Sequence, residues 1–544
     1  MRYRFGALIV LVATLSIWGC SEGETTLRKT RGYLLISIDT LRADHLSSYG
    51  YRKPTSPFLD SLAERGVLFE HVVAPYPSTL TSHMTMFTGL YPAEHGVYPP
   101  DSVLAPGIPT LPGLFKRAGY RTAGFTESGF MKGRYGFSRG FDEFDDQAGH
   151  RSGDVERTLD KGIAFLEGLG AEEDFFLFLH TYAVHTPYDP PEPYRSQFWP
   201  GDAPDVFEPT GRNHVEFNSR RGELSSEGLA YHEALYDAGI RHTDAALEEF
   251  FADLEALGLA RDLTVIITSD HGEEFLEHGR LAHNQVYYET VHVPLILVHP
   301  DLAGGSRVAT MAATADVAPT LLAVAHIDSD HPMSGESLAS PDVLAGDGPL
   351  RSAYAEDAGG RNRTLVERRG RRQLQVVRTR IPGHLGDHWL ERTQSFDIGA
   401  EAFDLRLRSF EESRHVEILV DEQLAHSFEL PTEWMTVRLD PGPGDASRRV
   451  DLRSASCTPA RRPQRNAEDC LAFAIQASEP LERVELFDLG TDPLGSLDLA
   501  RSEPSIARTI LTRLARFDWV LVAEPSQEEL DPELENRLRA LGYL

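Results

Sequence analysis

The chain has 544 residues, 53 basic against 83 acidic side chains, and a formal net charge of −30 at pH 7. At roughly 150 residues per domain, that length holds three to four units, or one large α/β domain with additions; a hydrophobic content of 41% and a charged content of 25% exclude disorder as the main state. The acidic balance argues against nucleic acid as a partner, because phosphate neutralisation needs clustered Lys and Arg, and the three cysteines exclude both a disulfide scaffold and a metal cluster with four Cys ligands.

In chain order, Arg2 and Arg4 precede an apolar run from Ala7 to Trp18, followed by Gly19 and Cys20. A basic start and an apolar stretch too short for a stable membrane span read as a signal peptide. Ile17-Trp18-Gly19-Cys20 resembles a bacterial lipobox, which implies cleavage before Cys20 and lipidation of its thiol. An ordinary signal peptide with an incidental Cys20 is the alternative. Ser21 resembles the signal for outer-membrane sorting in Gram-negative bacteria, and Ser21 to Glu24 forms a polar tether. The expectation is a signal peptide over 1–19, a tether over 20–32, and a protein anchored to the membrane through Cys20, facing the periplasm or exterior.

From Tyr33 the chain alternates strand and helix. Tyr33 to Ile38 is apolar without helical period, which suits a buried parallel strand, and it ends at Asp39. Pro57 to Arg65 reads as a helix with Phe58, Leu59 and Leu62 on one face and Gly66 as its stop. Phe175 to Leu179, Leu263 to Thr268 and Val293 to Val298 are further apolar strand candidates, the second running into Ser269-Asp270-His271-Gly272. Strands separated by helices imply an α/β fold with a parallel sheet covered on both faces. Ligands bind such sheets beyond the carboxyl ends of the strands, and two of these strands end in an aspartate.

Between 395 and 480 the pattern changes to short alternating runs, including Phe403 to Leu407, Val416 to Val420, Trp434 to Leu439 and Val450 to Leu452, with the turn Pro441-Gly442-Pro443-Gly444 among them. Period-two runs at this spacing predict an antiparallel β insert. It weakly resembles the jelly-roll inserts of carbohydrate-active proteins, and a purely packing role is the simpler reading. Cys457 and Cys470 lie close enough in sequence for one disulfide in an oxidising compartment, given a suitable geometry.

Several segments carry chemistry: Asp39-Thr40-Leu41-Arg42 after the first strand, Thr79-Leu80-Thr81-Ser82-His83 running on to Thr88-Gly89, and Asp270-His271-Gly272-Glu273 followed by His278 and His283. Hard divalent cations prefer carboxylate oxygens, while Zn and Mn also accept imidazole. Asp39, Asp270 and His271 could therefore supply three ligands from two strand ends. Singly, each reads equally well as a turn or cap residue.

These segments, with His185-Thr186-Pro187, Asp316 to Thr320, Glu485 to Leu489 and Leu538 to Leu544, make the sequence resemble the sulfatase family within the alkaline phosphatase superfamily. The resemblance implies a mostly parallel sheet flanked by helices over 33–394, interrupted by the β insert over 395–480 and completed by 481–544. It places the family nucleophile on Thr79. Sulfatases of the usual type carry there a Cys or Ser in a Cys-x-Pro-Ser-Arg setting that matures to formylglycine. Here Thr81 replaces the proline, His83 replaces the arginine, and no cysteine lies between Cys20 and Cys457. Thr79 instead resembles the threonine nucleophiles of phosphodiesterase, phosphonate hydrolase and lipoteichoic-acid-synthase-like members.

A threonine hydroxyl is a weak nucleophile that metal coordination can activate. Thr79 precedes a helix expected to begin near Ser82, whose N-terminus favours a transferring anion; the competing reading makes Thr79 a helix cap. The resemblance implies a metal held by Asp39, Thr79, Asp270 and His271, with one or two ions. Thr40 and His271 stand where calcium-binding members often have Asp and Asn, which favours Mn, Zn or Mg over Ca. It also implies that His185, with His283, assists the leaving group. His95 and His278 read as supporting residues, and the family's Lys-Trp-His stretch falls near Glu127-Ser128-Gly129 without its lysine or histidine. The expected activity is metal-dependent hydrolysis or transfer of a phosphoric or phosphonic ester, in a small-molecule, glycan or lipid-headgroup substrate, through a covalent intermediate on Thr79. The alternatives are a sulfuric ester hydrolase and an inactive glycan-binding surface lipoprotein.

Overall fold

The computed structural model describes residues 27–147, 153–220, 223–346, 348, 351–357, 362–369 and 372–381, then a series of segments between 389 and 527. The leader with Cys20, the insert cysteine Cys457, the turn 441–444 and the C-terminal segment 538–544 lie outside the described residues.

The central sheet comprises β1 (Gly32–Ile38), β2 (Val67–Val73), β3 (Arg121–Phe125), β4 (Glu143–Asp145), β5 (Phe175–Thr181), β6 (Leu263–Thr268), β7 (His292–Val298), β8 (Ser306–Val308) and β9 (Ala312–Ala313). Their order is β8-β2-β7-β6-β1-β5-β3-β4, with β9 also on β2. β1 is parallel to both β5 and β6, and β3 to β5 and β4. The strand expected over Val293 to Val298 forms as β7 but runs antiparallel to β6 and β2. The connection from β6 carries only the short helical turn Tyr288–Val291 in place of a full crossover helix, so the chain returns beside the strand it left.

Helices α1 (Pro57–Arg65), α2 (Thr79–Thr88), α3 (Leu111–Arg117), α4 (Val155–Glu167), α5 (Gly211–Arg220), α6 (Ser226–Ala256) and α7 (Val317–Ala325) follow in chain order. The alternation of β1 explains the two layers. Tyr33 and Leu35 pack with Leu80, Met84 and Phe87 of α2 and with α3 and α7. Leu34, Ile36 and Ile38 face the other way, against α1, α4 and α6. With every β1 residue buried on both faces, the strand reads as a continuous apolar run.

The later chain forms β10 (Ser352–Glu356), β11 (Asn362–Arg369), β12 (Arg372–Ile381), β13 (Thr393–Ile398), β14 (Phe403–Ser409), β15 (Arg414–Val420), β16 (Gln423–Leu430), β17 (Met435–Leu439), β18 (Arg448–Ser454), β19 (Phe473–Ala477) and β20 (Leu481–Asp488). One sheet runs β10-β11-β12-β20-β13-β18-β15-β16, and a smaller one contains β19-β14-β17. Antiparallel strands therefore form where the period-two runs lie. The insert strands join the sheet of the C-terminal segment through Asp397 opposite Glu482. Phe396, Ile418, Val450 and Leu452 of the larger sheet pack with Leu405, Leu407, Val437 and Leu439 of the smaller one.

Candidate metal centre and active site

The carboxyl ends of β1, β5 and β6 coincide, with Ile38 level with Thr181 and Ser37 with Thr268. Asp39 continues β1 by donating its N–H to Thr181 O at 3.0 Å. Thr40 then takes a left-handed φ of 57°, an unfavourable conformation for a β-branched residue. It aims the Thr40 N–H at Asp270 Oδ1, 3.2 Å away, and Leu41 N–H donates to Ser269 Oγ at 2.9 Å. The loops leaving β1 and β6 are thus laced together directly beneath the site.

Ligand atoms of Asp39, Asp270 and His271 lie within 4.8 Å of one another, the group of this kind found among the described residues. All three residues are fully buried, and Asp39 Oδ1, Asp270 Oδ2 and His271 Nε2 have no hydrogen-bond partner. Such atoms are costly to bury unless a cation completes them. His271 Nδ1 donates to Gly272 O at 3.0 Å, which leaves the Nε2 lone pair facing the carboxylates. Burial pushes His271 down to about 3 and so keeps it neutral, the form that ligates a metal. Burial, and then the neighbouring Asp270, raise the Asp39 carboxyl well above its ordinary range, and burial raises Asp270 too. Two carboxylates and a neutral imidazole fit a divalent cation.

Thr79 is the first residue of α2, with Ser78 as the extended N-cap at φ −157° and ψ 139°. The helix begins three residues before the expected Ser82, because Ser82 N–H already bonds Ser78 O at 3.0 Å. Thr79 is therefore no cap. Its hydroxyl donates to Asp39 Oδ2 at 3.1 Å, and the residue is fully buried. Ser82 Oγ, one turn on, donates to Asp270 O at 2.6 Å, tying α2 to β6.

His185 and His283 meet beside this group, their Nε2 atoms 3.1 Å apart. His185 Nδ1 donates to Thr186 O at 2.5 Å and His283 Nδ1 to Pro77 O at 3.1 Å. The His283 ring lies 4.3 Å from that of His271, centre to centre. Burial lowers His185 to about 3 and His283 well below its ordinary value. Asp39, Thr79, Asp270, His271, His185 and His283, spread over 245 positions of sequence (39 to 283), thus line one buried site.

Two histidines support it that sequence reasoning left without a role. His180, in β5, donates from Nε2 to Asp39 Oδ2 at 3.1 Å, and a lone polar ring near the end of an apolar strand was its only signal. His83, at the arginine position, donates from Nδ1 to Thr79 O at 2.8 Å and accepts from Ser37 Oγ at 2.8 Å. His95 and His278 serve the scaffold: His95 bonds Thr85 Oγ1 and Val97 N, and His278 bonds Glu289 and stacks on Tyr287. Glu127 is buried and accepts from Tyr182 N–H and Thr158 Oγ1, which holds the start of the loop leading to His185.

A sulfatase family model matches residues 31–327. Human Arylsulfatase K is 24% identical over 375 residues, covering 61% of this chain and 70% of that protein, and its rat counterpart is matched over 63% of its length. Among solved structures, the phosphonate monoester hydrolase of Agrobacterium radiobacter aligns with a TM-score of 0.57 at 18% identity, over 92% of this chain and 100% of that one. A protein solved with its substrate D-glucosamine-2-N,6-O-disulfate aligns with a TM-score of 0.58 at 16% identity, over 90% and 99%. At those identities the structural likeness speaks for the fold.

Proposed function

The chain belongs to the sulfatase family, whose members are metal-dependent ester hydrolases, and from that premise we propose that it cleaves phosphoric or phosphonic esters through a covalent intermediate on Thr79. The observation that carries this reading is the Thr79 hydroxyl, buried at the N-terminus of α2 and hydrogen-bonded to Asp39 Oδ2; the sequence resemblance aligns Thr79 with the residue that other members mature from cysteine or serine. The absence of any cysteine from 21 to 456 leaves no residue for that maturation by the cysteine route.

Asp39, Asp270 and His271, with Thr79 Oγ1, would hold the ion, and a bound divalent cation supplies charge neutralisation and a lowered hydroxyl pKa. By donor type, two carboxylates, a hydroxyl and an imidazole favour Mn, Zn or Mg over Ca. In the first step Thr79 Oγ1 bonds to phosphorus, its proton passes to Asp39 Oδ2, and the bond from phosphorus to the leaving oxygen breaks. His185 and His283 both donate through Nδ1 to backbone carbonyls, so their Nε2 atoms bond each other only when one of them is protonated. A bound phosphoryl anion raises the proton affinity of that pair, and the shared proton goes to the leaving oxygen. In the second step water attacks phosphorus and gives a proton back to the pair, while Thr79 Oγ1 leaves and recovers its proton from Asp39.

The names of the relatives favour a second reading, a sulfuric ester hydrolase. Purified protein loaded in turn with Mn, Zn and Mg, assayed on 4-nitrophenyl phosphate, bis-nitrophenyl phosphate, phenylphosphonate esters and 4-nitrophenyl sulfate, separates the two. Thr79→Ala should abolish turnover with the metal still bound, and a phosphoryl adduct on Thr79 should appear by mass spectrometry. Full activity of Thr79→Ala removes the residue from the mechanism, and a preference for the sulfate ester overturns the phosphoryl reading. The motif ending in Cys20 supports anchoring in a bacterial membrane, most simply the outer one. Cys20→Ala should then release the protein into the soluble fraction; unchanged membrane fractionation argues against an anchor.

A further inference from the structure

Helix α5 bridges the two loops that carry the paired histidines. At its start, Pro209 O accepts from Thr186 Oγ1 at 3.0 Å and from Tyr188 N–H at 3.1 Å, which fixes it to the segment immediately after His185. Near its end, Asn218 Oδ1 accepts from Leu281 N–H at 2.9 Å and Asn218 Nδ2 donates to Leu281 O at 2.8 Å, which fixes it to the strand two residues before His283. His214 lies one turn before Asn218, on the same face of the helix. It is 1% exposed, and neither ring nitrogen has a hydrogen-bond partner in the protein. Its ring stands 5.7 Å from that of Tyr188 and 5.6 Å from that of His232.

A buried imidazole with both nitrogens unsatisfied loses the hydrogen bonds it made to water and gains none. Four bonds nevertheless tie the helix that carries this ring to the segments just after His185 and just before His283. Burial lowers His214 to about 3, with His232, His185 and His283 adding to the effect, so the ring is neutral and offers one donor and one acceptor. That complement matches a hydroxyl group, which can both accept and donate, and mismatches a carboxylate or phosphate, which only accepts.

We propose that His214 is a specificity-determining residue that binds a hydroxyl on the alcohol portion of the ester, so that polyol or sugar esters are selected over simple aryl esters. The inference rests on the ester-hydrolase reading of the adjacent site, but on no choice between phosphate and sulfate.

The test compares glucose 6-phosphate and glycerol 1-phosphate with 4-nitrophenyl phosphate, and glucose 6-sulfate with 4-nitrophenyl sulfate, on the metal-loaded full chain. His214→Phe keeps the ring's bulk and removes both polar atoms, while His214→Gln keeps a donor and an acceptor. His214→Phe should lower kcat/KM about tenfold on the sugar and polyol esters, the usual size of one lost hydrogen bond to an uncharged group, and leave the nitrophenyl esters within about twofold. The loss should appear in KM, and His214→Gln should recover most of it. Affinity of the Thr79→Ala protein for glucose 6-phosphate over inorganic phosphate, measured by titration calorimetry, should fall to parity when His214→Phe is added. Equal losses on both ester types, no effect on either, or a wild-type protein that neither binds nor cleaves the hydroxylated esters in preference overturns the proposal. Turnover of the sulfate series alone, with the His214 selectivity intact, refutes the phosphoryl reading and leaves this inference standing.

Discussion

Metal affinity should rise steeply with pH, and the slope can be worked from the site. In the metal-free protein, burial holds Asp39 and Asp270 above their ordinary value of 3.8, with repulsion from Asp270 adding to the effect at Asp39, so the folded state binds their protons more tightly than the unfolded chain does. The sign follows: metal-free stability is highest below the ordinary carboxylate pKa and falls as pH rises toward the raised one. An ion must displace whatever protons the pair holds, and each proton displaced makes affinity change about tenfold per pH unit. Affinity should therefore climb as pH rises through the raised carboxylate range, by about tenfold per unit for each proton displaced, and flatten once both carboxyls are ionised. Saturation at a hundred times the dissociation constant stabilises the folded chain by about 2.7 kcal/mol. Competition with a fluorescent chelator from pH 5 to 8, with calorimetry in two buffers of different ionisation enthalpy, counts the protons directly. Asp270→Asn should remove at least one proton from the count and most of the affinity. A pH-independent dissociation constant, or a slope unchanged in Asp270→Asn, refutes the assignment of this pair as ligands.

Gly272→Ala should disrupt the site through the backbone, because a Cβ there would lie 2.0 Å from Glu289 O; metal affinity should fall at least tenfold, and unchanged affinity counts against Gly272 as the residue that seats His271. Arg42 is 2% exposed and donates to Glu273 O, Glu277 and Asp44. Glu277 is mostly buried and Asp44 about half-exposed, so the loss is smaller than for a fully buried pair, and Arg42→Met should lower the melting temperature by a few degrees, read by scanning calorimetry. His185→Gln should slow esters with poor leaving groups by about 100-fold while sparing nitrophenyl esters, whose leaving oxygen needs no proton; equal loss across leaving groups assigns His185 a role in holding the transferring group.

The parts of the site set by local pattern were legible in the sequence, and those set by packing were not. Asp39 and Asp270 are readable because each follows within two residues of an apolar run that has no helical period, and strand ends are where open α/β sheets bind ligands. The helix Pro57–Arg65 forms where its apolar face and Gly66 place it. The start of α2 was displaced because Ser78, Thr79, Thr81 and Ser82 are all competent caps, and only the register of Thr79 against Asp39 selects among them. The reversed direction of β7 is hidden because a buried antiparallel strand flanked on both sides reads like a parallel one. His180 and His214 are invisible for a different reason. Their significance lies in Asp39 Oδ2 and in the loops at Thr186 and Leu281, all far away in sequence.

The C-terminal sheet has a consequence for the site that its sequence pattern does not advertise. The loop from Gly272 to Val291 carries His283 and, through Gly272 N–H donating to Thr290 O at 2.7 Å, fixes the backbone beside His271. That loop is held from outside by the second sheet and the turn that follows β20. Tyr287 donates to Glu485 at 2.8 Å, Gln375 Nε2 to Val286 O at 2.9 Å, Gln373 Nε2 to the Tyr288 hydroxyl at 2.5 Å, and His278 Nε2 to Gly495 O at 3.1 Å. Tyr287, Val286 and Val291 also share a core with Val366, Val377 and Phe487 of that sheet. A loop that must hold an imidazole within hydrogen-bond reach of His185 cannot be left to its own flexibility. The insert strands extend this same sheet through β13 beside β20, where Asp397 accepts Val484 N–H at 2.8 Å and pairs with Arg449. The strands of 395–480 are thereby continuous with the sheet that holds this loop, and they close their own core through Phe396, Leu405, Ile418 and Leu452.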